Sequence, residues 1–93
     1  MEIGIVIGTV TATRKDEHLV GTKMLVTQPV GIDEKPTESQ PIITVDTVGA
    51  GVGESVIFVK GSMASRAVHN KDSPVDAAIV GIIDVLECDY RKG

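Results

Sequence analysis

The chain reads as a small all-β protein: a five-stranded OB-like barrel with one short helix before the last strand. Three observations predict this. The apolar residues come in short β-branched runs rather than in long helical stripes. Ten glycines and four prolines interrupt 93 residues often enough to punctuate short strands. Hydrophobic residues make up 42% of the chain, yet only Phe58 and Tyr90 are aromatic, so the core must be aliphatic. The length sets one domain, residues 1–93, whose own core is modest because a chain this short buries only about two-thirds of its unfolded surface.

A first long strand is predicted over 2–13. Ile3, Ile5, Ile7, Thr9 and Thr11 alternate with Gly4, Val6, Gly8, Val10 and Ala12. Gly4 and Gly8 imply either a bend in this strand or a close approach to its face. Residues 14–22 are polar and form a loop. Residues 23–30 form the second strand, and 31–41, with Asp33, Glu34, Lys35 and Pro36, a solvated hairpin loop. The third strand covers 42–48 and the fourth 55–60. Gly61 breaks the chain, Ser62 suits a helix N-cap, and 63–69 supply about two helical turns with Met63 and Ala67 on one face. Asn70 suits a left-handed stop before a turn over 70–74. Residues 76–88 match a helical stripe at Ile79, Ile82, Ile83 and Leu86, but Gly81 and the many β-branched residues favour a fifth strand.

Between the third and fourth strands lies Val45-Asp46-Thr47-Val48-Gly49-Ala50-Gly51-Val52-Gly53-Glu54. A glycine loop between strand and helix cradles phosphate. This one leads into the β-branched run Val56-Ile57-Phe58-Val59, and its G-x-G-x-G spacing lacks the extra residue of a dinucleotide fingerprint. It is therefore predicted as a strand-to-strand loop with a bare backbone open to another chain. Glu54 is either solvated or an acceptor for exposed loop amides.

The last two strands are apolar on both faces. Ile79, Gly81, Ile83 and Val85 oppose Ala78, Val80, Ile82 and Leu86, and Val56 and Phe58 oppose Ile57 and Val59. A lone barrel shows one face of each strand to water, where polar residues belong. Two turns of helix cannot cover two strands and a glycine loop together. The sequence thus predicts a homo-oligomer, closed into a ring if the contact is head-to-tail. Burying roughly 1,000 Å² of apolar surface per subunit gives a gross gain of about 25 kcal/mol, much of it offset by lost translational and rotational freedom.

Other classes fit poorly. The net charge is −4, and no basic stretch exceeds two residues, which argues against nucleic acid and anionic membranes. A single-strand-binding OB module, the natural competitor, stacks bases on aromatics in a basic groove. Met1 is followed by Glu2 and an alternating strand, unlike a secretory leader, and no apolar run nears the roughly 20 residues of a membrane span. A cytoplasmic location is expected. Cys88 stands alone and reads as a small hydrophobe. His18 and His69 sit in no ligand pattern, so neither metal nor other cofactor is expected. Ser62, His69 and Asp76 assemble a triad only on paper, since the segment lacks the second glycine of a nucleophile elbow. Arg66 and Asp76 flank the segment between helix and final strand. They form either an exposed pair of little worth or a bridge across a subunit boundary.

Several segments together resemble one family. Gly8-Thr9-Val10-Thr11-Ala12-Thr13-Arg14-Lys15, Leu19-Val20-Gly21-Thr22-Lys23-Met24-Leu25 with Gln28-Pro29, and the 45–54 stretch are similar to bacterial microcompartment vertex proteins. So are Gly61-Ser62-Met63-Ala64-Ser65-Arg66 and Pro74-Val75-Asp76-Ala77-Ala78-Ile79-Val80-Gly81-Ile82-Ile83-Asp84. The family's Gly-Ser-Ser-Ala-Arg segment is altered here, with Met63 at a small-residue position and Ser65 inserted before Arg66. The resemblance implies a structural, non-enzymatic homopentamer that plugs shell vertices and meets hexameric and trimeric shell proteins. It implies docking through Arg14, Lys15 and Gly49, Ala50, Gly51, Val52 and Gly53. It also makes Arg66, Asp76, Ile79 and Ile83 candidates for the subunit contact.

Overall fold

The computed structural model describes residues 1–12, 21–67 and 75–87. Five strands and one helix follow in the order β1 (Glu2–Val10), β2 (Lys23–Val30), β3 (Ile42–Asp46), β4 (Ser55–Lys60), α1 (Ser62–Ala67) and β5 (Ala77–Ile82). The strands close a barrel in the order β1-β2-β3-β5-β4, with β4 returning to β1. All pairings are antiparallel except β3 with β5. This is the predicted architecture. β2 and β4 begin and end where the sequence places them, each bounded by a lysine or a turn. β1 and β3 stop short of their predicted ends, and β5 is confined to Ala77–Ile82. Of the predicted helix, Ser62–Ala67 is formed, while Val68 and His69 lie outside the described residues, as do the predicted stop at Asn70 and the turn over 70–74. Ser62 is the first helical residue. The flanking position belongs to Gly61 (φ 66°), whose carbonyl accepts from the Ala64 amide.

Two aliphatic cores form on the two sides of one sheet. Inside the barrel Val6, Leu25, Val56, Phe58 and Ile79 pack together, with Ala50 among them and Ile42 and Ile82 at the margin. Outside it, beneath α1, lie Val45, Val59, Ala64, Val75 and Ala78, flanked by Met24, Ala67 and Val80. So the helix does cover part of the outer sheet, using Ala64 and Ala67. Met63, predicted to share a face with Ala67, instead points away and is 55% exposed. The coverage ends there: Ile57, Ile83, Val85 and Leu86 gain nothing from it.

Two β-bulges rearrange the faces read from simple alternation. In β1 the register jumps between Val6, opposite Thr27, and Gly8, opposite Val26, leaving Ile7 extra and half-exposed. In β5 it jumps between Ile79, opposite Phe58, and Gly81, opposite Ile57, leaving Val80 extra. A bulge inserts one residue and flips the parity of all that follow. Ile79 and Ile82 therefore both serve the interior, and Gly81 does not share a face with Ile79 as predicted.

Gly4 marks a close approach rather than a bend. A Cβ there would lie inside the contact distance of Thr27 Cγ2, 3.0 Å from Phe58 Cε1 and 3.1 Å from the Gln28 carbonyl oxygen. The Thr27 and Thr44 hydroxyls, both fully buried, hydrogen-bond each other at 2.9 Å, and Thr44 also donates to the Leu25 carbonyl at 3.3 Å. Two buried polar groups are thereby satisfied together.

Candidate assembly surfaces

The glycine loop is built from its own side chains. Asp46 Oδ1 accepts from the amides of Val48 (3.0 Å) and Gly49 (3.1 Å). Glu54 Oε1 accepts from the Gly51 amide at 2.7 Å, the second of the two roles predicted for it. The Gly53 amide donates to Val6 O at 2.8 Å, and Thr47 Oγ1 donates to Ile79 O at 2.7 Å. Lys23 Nζ bonds the Ala50 carbonyl and lies 3.6 Å from Asp46 Oδ2. These amides are spent inside the loop, so they form no cradle for phosphate. Ala50 is fully buried and packs with the core of the barrel.

The loop backbone is thus tied by its own side chains, while Gly49 and Gly53 stay exposed. Gly49 (φ 85°) and Gly53 (φ 93°) have no atom within 4 Å of a built Cβ, so backbone conformation, not crowding, selects them. Gly49→Ala and Gly53→Ala are each expected to cost about 1–2 kcal/mol of stability, read as a lower urea midpoint at unchanged slope. Beside these glycines the loop also presents apolar side chain: Val48 and Val52 stand exposed at its tip. Arg14 and Lys15, the other predicted docking residues, lie outside the described residues.

A second surface runs along the outside of β1, β4 and the segment after β5. Among the described residues Ile3, Ile57, Ile82, Ile83, Val85 and Leu86, with Asp84 as the one polar member, line a shallow groove of about 430 Å³. Ile3 and Ile57 are register partners, and Ile57 is also opposite Gly81. The segment is tied down by the Ile83 amide donating to Ser55 O at 2.8 Å. Val85 is 73% exposed, and Leu86 is also open to solvent.

The predicted subunit-contact residues separate on inspection. Ile79 is fully buried in the chain's own core and has no surface to offer, so it is withdrawn as an interface residue. Ile83 lines the groove. Asp76 sits at the opposite end of β5, in a hollow of about 410 Å³ with Ile42, Ile43, Lys60 and Ala77. Arg66 is exposed on α1. No ion pair joins Arg66 to Asp76, and neither finds one among the described residues; the pairs there are Lys23–Asp46 and Lys60–Glu2 (3.0 Å). Sequence reasoning missed Ile3, Ile57, Val85 and Leu86 as one surface, though their apolar outward positions were the signal. Among the described residues no three His, Cys, Asp or Glu side chains cluster as metal ligands, and no helix is long and apolar enough to cross a membrane. His69, the middle member of the paper triad, lies outside the described residues.

A small closed barrel with a tied apolar loop tip and, among the described residues, an uncovered aliphatic groove has the features of an assembly module. Comparison with known proteins gives the family. Residues 1–84 match the family described as ethanolamine utilisation protein EutN/carboxysome. The chain belongs to this EutN/CcmL family. It is 47% identical over 87 residues to the bacterial microcompartment shell vertex protein GrpN of Rhodospirillum rubrum, covering 94% of this chain and 97% of that protein. It is 43% identical over 89 residues to the carboxysome shell vertex protein CcmL of Thermosynechococcus vestitus, covering 96% and 89%. The solved structure of the GrpN pentameric microcompartment shell protein from Rhodospirillum rubrum superposes with a TM-score of 0.85 at 46% identity, covering 95% of this chain and 99% of that one. CcmL of Gloeobacter violaceus superposes with a TM-score of 0.88 at 40% identity, covering 98% and 93%.

Proposed function

We propose that this chain is a structural subunit of a bacterial microcompartment shell, a homopentamer that closes the shell's vertices. The whole of 1–93 acts as one vertex domain, within the cytoplasm, without cofactor and without catalytic activity. The observation that carries this reading is the aliphatic groove of Ile3, Ile57, Ile83, Val85 and Leu86, which α1 leaves uncovered. Its support comes from relatives named as shell vertex proteins and from neighbours titled as pentameric shell proteins. In the ring, Arg66, Asp76 and Ile83 lie at the subunit contact. The glycine loop, through Val48 and Val52, and the segment with Arg14 and Lys15 meet hexameric and trimeric shell proteins.

Among the described residues the competing single-strand-binding reading finds no exposed aromatic to stack on, since Phe58 is fully buried, and the net charge is −4. Light scattering on the purified chain tests the proposal. A particle of five chain masses, unchanged on dilution to micromolar concentration, is expected. A stable monomer there would count decisively against it.

A further inference from the structure

Helix α1 exposes two side chains three residues apart, and hence on one face: Met63 and Arg66. Behind them Ala64 and Ala67 fix the helix to the sheet. The result is a convex apolar knob carrying one cation, and that cation is unpaired among the described residues. On β1, β4 and the segment after β5 lies the reverse: a concave aliphatic groove in which, among the described residues, Asp84 is the one polar lining residue, exposed and unpaired. Knob and groove complement each other in apolarity and in charge, yet share no residue within one chain. Two different patches that satisfy each other only between copies make a head-to-tail contact, the kind that closes into a ring.

We infer that α1 of one subunit docks into the Ile3–Ile57–Val85 groove of the next, with Met63 against the aliphatic floor and Arg66 paired with that subunit's Asp84. This rests on the homo-oligomer proposed above and specifies its contact. It also gives a consequence to the Met63 departure from the family segment: a longer side chain stands where the knob meets the groove. The pair is set among apolar side chains, so its partial desolvation makes it a determinant of register rather than a loose surface bridge.

A charge-swap cycle tests it. Arg66→Glu and Asp84→Arg are each expected to shift the particle from five chain masses to one at micromolar concentration, with circular dichroism unchanged, because both positions are exposed. The double variant Arg66→Glu/Asp84→Arg is expected to recover the ring. If wild type is pentameric and either single variant keeps the ring, or the double variant fails to restore it, the inference is overturned while the vertex reading stands. Rings that persist but no longer bind a hexameric shell protein would assign both surfaces to that partner instead. A chain ending at Glu87 is expected to keep its ring; its loss would give the groove to the chain's own last residues. A monomeric wild type removes the proposed function itself.

Discussion

Gly4→Ala is expected to cost this chain roughly 3 kcal/mol or more, a large fraction of the 5–15 kcal/mol that holds a typical domain folded. The added methyl would enter a space already held by Thr27 Cγ2, Phe58 Cε1 and the Gln28 carbonyl. None of these can retreat cheaply. Thr27 is anchored through its hydroxyl to Thr44, Phe58 is the largest fully buried side chain, and Gln28 is paired backbone. Gly81→Ala is the control. Its nearest neighbour is Ile57 Cδ1 at 3.7 Å, an ordinary contact, so it is expected to change stability by less than about 0.5 kcal/mol. Urea unfolding of both variants checks the contrast, and equal midpoints would refute the packing argument.

The offending atom identifies the rescue. Thr27→Ser removes Cγ2 but keeps the hydroxyl that bonds Thr44. Alone it leaves a small void and costs about 1 kcal/mol. Combined with Gly4→Ala it is expected to recover at least about 1 kcal/mol relative to the sum of the two single changes. Such non-additivity is the mark of residues in direct contact. Additive costs would mean that Phe58 or the Gln28 backbone, not Thr27, sets the limit at Gly4.

Much of this architecture was legible because it depends on local chemistry. Lys23 and Lys60 bound β-branched runs, Gly61 ends a strand, and Gly81 with its β-branched neighbours outweighs the helical spacing of Ile79, Ile82, Ile83 and Leu86. Asp46 and Glu54 flank the glycines whose amides they accept, so the strand-to-strand loop was readable, though not the burial of Ala50. The faces of β1 and β5 were misread for one reason. A bulge adds a single residue with no compositional mark of its own, and alternation carried past it assigns every later side chain to the wrong side. The one trace is the glycine that follows each extra residue, Gly8 after Ile7 and Gly81 after Val80. Ile79 passed for an interface residue because of that slip. The need for a partner was visible in the excess of apolar outward positions. The partner's location was not, because it depends on which of those positions α1 covers, and its six residues pack over Val45, Val59, Val75 and Ala78, with Met24 and Val80 at the margin.

Val85→Asp is expected to dissolve the ring while leaving the subunit folded. The two halves of that expectation come from the same side chain in two environments. In the single chain Val85 is 73% exposed, so a carboxylate there meets water and changes stability by no more than about 0.5 kcal/mol. In the assembled groove it would be enclosed by Ile3, Ile57, Ile83 and Leu86, beside the carboxylate of Asp84. An unpaired charge taken out of water costs several kcal/mol, and its like-charged neighbour adds to that. A ring repeats the penalty at every contact, so even a modest cost per contact is multiplied around the assembly. Light scattering should therefore show one chain mass and circular dichroism a native spectrum. Val52→Asp supplies the contrast. Val52 is 61% exposed at the tip of the glycine loop, away from the groove, and this variant is expected to keep five chain masses while losing affinity for a hexameric shell protein. If instead Val85→Asp remains a pentamer and Val52→Asp falls apart, the two surfaces exchange roles: the loop joins copies of this chain, and the groove faces the rest of the shell.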